Sequence, residues 1–182
     1  LLLEFQVDDV IDNEGYYRKM RHGVRVSSGD IDGDGKDEIV AAAPHVYPYQ
    51  TYCMTIDFTG SAMVPVQSEW FRVYIPGARC GLSTAVGDVD GDGISEIVTG
   101  PGPYSYSAGH LMVLKKRDMI LFETFPFDAL YGITVATADL YGDGVSEILA
   151  APGIGEQKLS PVVTVLDIFG MKSELDLRPY FK

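Results

Sequence analysis

The sequence predicts an all-β chain of β-propeller type, made of three four-stranded blades and an extra N-terminal strand, either an open arc or one completed by oligomerisation. Three observations predict it. An acidic, glycine-rich loop leading into a short apolar run occurs three times: GDIDGDGKDEIVAAA over 29–43, GDVDGDGISEIVTG over 87–100 and ADLYGDGVSEILAA over 138–151. The apolar runs are brief, rich in β-branched residues and bounded by Gly or Pro, which is how strands read. No segment sustains a period of 3.6 residues, so no helix is expected. The first acids of the copies, Asp30, Asp88 and Asp139, stand 58 and 51 residues apart. Four-stranded units at that period suggest blades stacked radially, each covering a face of its neighbour.

The elements follow in order within a single domain spanning 1–182. Residues 1–10 read as a strand, and 11–22, polar and carrying Gly15, as a connection. Blade one runs over about 22–76, with strands at 24–28, 38–43, 51–58 and 69–75. Blade two runs over about 80–126, with strands at 82–86, 96–99, 110–115 and 119–125, the last two joined by the turn Lys116-Arg117-Asp118. Blade three runs over about 131–178, with strands at 133–136, 147–150, 162–168 and one near 174–177. In each blade the acidic loop joins the first strand to the second.

Composition limits the function. At 46% hydrophobic residues the chain is globular, and its apolar runs are strand-length, so no membrane-spanning helix is expected. A formal net charge of −12 argues against nucleic acid as a partner. Eleven of the 26 acidic residues belong to the three loops, so three bound Ca²⁺ would halve the net charge. The chain opens on Leu1, which suits a processed mature chain or a segment of something longer. Two cysteines, Cys53 and Cys80, fit either a disulfide in an oxidising compartment or two ordinary buried thiols.

The loops point to a hard cation. Ca²⁺ takes six to eight oxygens in a flexible cage. Asp88, Asp90, Asp92 and Glu96 fall at loop positions 1, 3, 5 and 9, and Ile94 at position 7 offers a backbone carbonyl. The first copy matches with Asp30, Asp32, Asp34 and Glu38, and Lys36 at position 7. The third keeps Asp139, Asp143 and Glu147, with Val145 at position 7, but Tyr141 takes the place of the second acid. An EF-hand is the obvious competitor. It needs a bidentate Glu at position 12 and a helix after it; here position 12 is Ala41, Thr99 or Ala150 and a strand follows. A metal-free acidic turn is the other alternative, and mutual repulsion of three or four carboxylates counts against it.

These repeats resemble the FG-GAP family, the repeat of integrin α-subunit propellers and of many secreted microbial proteins. His22-Gly23, Cys80-Gly81 and Tyr131-Gly132 occupy the family's Phe-Gly place, and no copy has the Phe. Ala42-Ala43-Pro44, Thr99-Gly100-Pro101 and Ala150-Ala151-Pro152 occupy its Gly-Ala-Pro place. The resemblance implies a Ca²⁺ on Asp30, Asp32, Asp34, the Lys36 carbonyl and Glu38, and a second on Asp88, Asp90, Asp92, the Ile94 carbonyl and Glu96. It implies a weaker or empty third site on Asp139, Asp143, the Val145 carbonyl and Glu147. It also implies an extracellular or cell-surface location, where millimolar calcium suits weak, rigid loops.

Closed propellers need at least four blades, and three units leave exposed edges and faces. The strand at 3–7 has three readings: it closes the third blade, pairs with a neighbouring subunit, or is the stump of a truncated blade. Self-association, as a discrete oligomer or a fibre, is therefore expected, with another protein as the alternative partner. Tyr47, Tyr49, Tyr104 and Tyr106 fall in connections on the face opposite the acidic loops, where they would stack on a glycan or pack between blades. His22, His45 and His110 match no metal spacing, and no nucleophile elbow or phosphate loop is present. The expected function is a non-enzymatic, calcium-binding structural or adhesion module. A lectin is the alternative, and a propeller domain of a polysaccharide-active enzyme a more distant one.

Overall fold

The computed structural model describes residues 9–11, 17–19, 23–42, 52–59, 64–74, 81–102, 109–116, 119–128, 131–153, 162–170 and 172–176. Among them every regular element is a strand. The first sheet is the meander β3 (Arg25–Gly29), β4 (Glu38–Ala42), β5 (Tyr52–Thr59) and β6 (Val64–Arg72). The second is β7 (Leu82–Gly87), β8 (Glu96–Pro101), β9 (Leu111–Lys115) and β10 (Met119–Thr124). The third is β11 (Ile133–Ala138), β12 (Glu147–Pro152), β13 (Val162–Leu166) and β14 (Lys172–Asp176). All pairings are antiparallel and each sheet keeps its strands in chain order. The all-β class and the three four-stranded units match the sequence reading. The sheets do not close on one another, so a propeller is not what these residues display.

Several expectations change. The polar connection 11–22 contains a strand: β2 (Tyr17–Lys19) pairs with β1 (Asp9–Ile11) in a separate two-stranded hairpin. Charge on Arg18 and Lys19 hides it from a reading by apolar pattern. The fourth strand expected near 174–177 is β14, two residues earlier, paired along β13 from Val162↔Asp176 to Leu166↔Lys172. Residues 3–7 lie outside the described residues. Strand β6 begins at Val64, not at 69, and runs through Pro65. Proline is admissible there because β6 is the outer edge of its sheet, and a register shift falls beside it, between Asp57 and Phe58.

The sheets pack through two apolar clusters. Val40, Ala42 and Cys53 of the first sheet meet Leu82, Ile97, Met112 and Leu114 of the second. Ala85, Val98, Leu111 and Val113 of the second meet Ile133, Val135, Ile148, Ala150 and Leu166 of the third. The middle sheet is thus covered on both faces along β8 and β9, while its outer strand β10 stays largely exposed. All six residues of β8 are buried, whereas β12 alternates between buried and half-buried. That difference is the expected contrast between a sandwiched sheet and a terminal one.

The first strands β3, β7 and β11 lie beside one another and are tied directly. The Val135 N–H donates to Ser83 Oγ at 3.0 Å, and the Thr137 hydroxyl donates to the Val86 carbonyl at 2.7 Å. Close approach is possible because the residue before the loop is glycine in the first two units. A Cβ on Gly29 would stand 2.5 Å from Val86 Cγ1 and 3.0 Å from Ser95 Oγ; one on Gly87 would stand 2.9 Å from Ser146 Oγ. Consecutive acidic loops therefore touch, with the Ser95 N–H donating to the Asp30 carbonyl at 2.7 Å and the Ser146 N–H to the Asp88 carbonyl at 2.6 Å.

Candidate metal centre

Each acidic loop is the hairpin connection between the first two strands of its sheet, and its first aspartate folds it. Asp88 Oδ1 accepts the Gly91 N–H at 2.7 Å and Oδ2 accepts the Gly93 N–H at 2.8 Å. Asp30 does the same to Gly33 and Gly35, and Asp139 to Gly142 and Gly144. Both donating glycines have positive φ, 77° at Gly91 and 87° at Gly93, a region that side chains disfavour. The ninth residue, glutamate in every copy, closes the loop from the other side. Glu38 Oε2 accepts the Ile31 N–H, Glu96 Oε2 the Val89 N–H and Glu147 Oε2 the Leu140 N–H.

This folding aims carboxylates at one another in two loops. Oxygens of Asp30, Asp32 and Glu38 lie within 4.8 Å of one another, and so do those of Asp88, Asp90 and Glu96. The expected ligands at positions 1, 3 and 9 are therefore brought together twice. Among the described residues the third loop forms no such triad. It has the same backbone hydrogen bonds, but Tyr141, 76% exposed, stands where the second carboxylate would be.

The position-5 acids of the first two loops sit outside the triads and each meets a lysine. Asp34 pairs with Lys36, and Asp92 pairs with Lys115. Hydrogen bonding to these ammonium groups holds both carboxyls below the usual aspartate value. Lys36, Ile94 and Val145 follow at position 7, each donating its N–H to the carboxylate at position 5.

The chemistry of the donors suits a small hard cation. Glu96 is completely buried, and its Oε1 accepts no hydrogen bond. Desolvation pushes the Glu96 carboxyl up to about 7, with the Asp90 carboxylate adding to the rise and the Val89 N–H opposing it. Desolvation also raises Glu38. A buried carboxylate oxygen without a donor, facing two further carboxylates, is a costly arrangement that a divalent cation relieves. Where such an ion binds, Asp30, Asp32 and Glu38 or Asp88, Asp90 and Glu96 would hold it.

Lys115 was not legible as a site residue. It ends β9, and its ammonium contacts Asp90 at 2.6 Å, Asp92 at 2.5 Å and Glu96 Oε1 at 3.8 Å. Register supplies the missing signal: Ile97 pairs with Leu114, Ile39 with Ile56 and Ile148 with Leu166. Lys115 therefore corresponds to Asp57 in the first sheet and to Asp167 in the third.

The other sequence candidates fare differently. Tyr47, Tyr49, Tyr104 and Tyr106 lie outside the described residues, as does Cys80. Among the described residues Cys53 is a free, buried thiol whose pKa burial pushes up to about 12. His110 stacks on Phe125 at 4.5 Å between ring centroids and contacts Glu123 Oε2 at 2.9 Å.

Residues 22–52 match the FG-GAP repeat. The matched span covers β3, the first acidic loop and β4, and ends at the start of β5. The second and third loops lie beyond it, yet they repeat the hydrogen bonds of the FG-GAP loop residue for residue at positions 1, 2 and 9. Comparison with curated proteins gives no match. Among the described residues no helix is long and apolar enough to cross a membrane.

Proposed function

We propose that this chain is a calcium-binding structural or adhesion module of the extracellular or cell-surface kind, its FG-GAP-like units forming blades of a propeller-type array. The observation that carries the reading is the pair of carboxylate triads on adjacent hairpins, one with a fully buried oxygen that accepts no hydrogen bond. Calcium on these loops pins the hairpin between the first two strands of a sheet. Because the Asp30 and Asp88 carbonyls accept hydrogen bonds from the following loop, an ordered loop also fixes how one sheet seats on the next. In this reading the metal does architecture and no catalytic step.

The module works by association. Supporting this are apolar side chains left in solvent, with Val26 70% exposed, Phe125 61% and Met119 and Ile120 each 51%, alongside outer strands whose second edge has no partner strand among the described residues. The partner is a second copy or another protein.

Calorimetric titration of the chelator-treated chain with CaCl₂ tests the calcium reading. Uptake of at least one Ca²⁺, lost when Asp32 and Asp90 are both changed to Asn, is the expected result. No heat and no shift in melting temperature up to millimolar calcium refutes it.

A further inference from the structure

The two carboxylate triads are alike in sequence but differ in charge. At the matching register position of the third strand the first unit has Asp57 and the second has Lys115. The Asp57 carboxylate adds to the negative field at Glu38 and Lys36. The Lys115 ammonium, 18% exposed, lies among Asp90, Asp92 and Glu96, 3.8 Å from the buried Glu96 Oε1, which accepts no hydrogen bond. No cation from another strand enters the first triad among the described residues. Lys36 lies within its own loop, 60% exposed, and pairs outward with Asp34.

We propose that Lys115 is a tethered counter-cation that takes part of the place of the metal in the second loop, so that calcium fills the first loop well before the second. This rests on the calcium reading above and adds a rank order to it. Calcium entering the second loop must displace an ammonium from two carboxylates and accept a like charge nearby, whereas calcium entering the first gains from Asp57. The second hairpin keeps its shape without metal because its repulsion is already partly neutralised. The first hairpin orders on metal. One chain then carries a constitutive hinge and a calcium-dependent one, set by a single residue outside both loops.

The test is calorimetric titration of the full chain with CaCl₂, with each loop silenced in turn by Asp32→Asn or Asp90→Asn to assign the heats. Wild type should show a second loop at least about tenfold weaker than the first. Lys115→Gln should tighten the second loop about tenfold and leave the first unchanged, and Lys115→Arg should behave as wild type. Melting in chelator reads the same idea without bound calcium: Lys115→Gln should melt lower than wild type in EDTA and recover in calcium. Equal affinity at the two wild-type loops, or a second loop indifferent to Lys115→Gln, overturns the inference while the calcium reading stands. Absence of binding in wild type and in Lys115→Gln overturns both.

Discussion

Glu96 is the residue whose ionisation state matters most. Its carboxyl is held near 7 in the folded chain against an ordinary 4.5, chiefly because burial disfavours the charge. Folded Glu96 thus keeps a proton that the unfolded chain has released. The stability this gives the metal-free protein is complete below about pH 4.5 and is lost as pH rises through about 7. Its size is at most about 3 kcal/mol. Melting in EDTA should therefore fall between pH 5 and 8, and Glu96→Gln should flatten that fall while keeping an acceptor for the Val89 N–H. A melting temperature that does not change over this range in wild type contradicts the assignment. Asp34, Asp92 and Asp139 act in the opposite sense. Their lowered values contribute stability that disappears only as pH drops through the range below 3.8, so the two windows do not overlap.

At the scale of the element, the seating of one hairpin on the next depends on the residue just before the loop. Gly87 admits Ser146 and Thr137 of the third sheet, and Gly29 admits Val86 and Ser95 of the second. Gly87→Ala or Gly29→Ala should each cost about 1–3 kcal/mol by overpacking, read as a lower urea midpoint. Gly23→Ala should not act by this route, since nothing lies within 4 Å of its Cβ position; any loss there comes from its positive φ. The outer loops differ at the two positions that make this seating. The third unit has Ala138 where the others have glycine, and the first has Asp37 where the others have Ser95 and Ser146. A further copy stacked at either end could not repeat this loop-to-loop seating without displacing a methyl group or an aspartate.

For the whole molecule, calcium should raise the melting temperature, because an ion bound to the folded loops and not to the unfolded chain adds its binding free energy to stability. At a hundredfold excess over Kd the gain is about 2.7 kcal/mol per site. Chelator should reverse the shift, and Asp90→Asn with Asp32→Asn should abolish it. Sedimentation at micromolar concentration should show species larger than a monomer. A single monomeric boundary contradicts the association reading, and Met119→Ser with Ile120→Ser, on the outer strand β10, should reduce the larger species if that face is used.

The sequence by itself determined the strands, the threefold repetition and the carboxylates that converge, because those depend on local facts. Alternating acids on a tight loop, glycines at positive φ and β-branched runs act within a dozen residues. It named Asp30, Asp32 and Glu38, and Asp88, Asp90 and Glu96, whose carboxylates the fold brings together, but also Asp34 and Asp92, which meet lysines instead. It missed β2, because a short charged strand has no apolar alternation to betray it, and the start of β6, because an edge strand hides a proline. Only the tertiary structure decided which sheet is covered on both faces, that Glu96 has an oxygen without a donor, and that the Lys115 ammonium reaches Asp90 across the sheet. Burial and cross-strand charge depend on which chain segments become neighbours, and that is settled when the sheets pack.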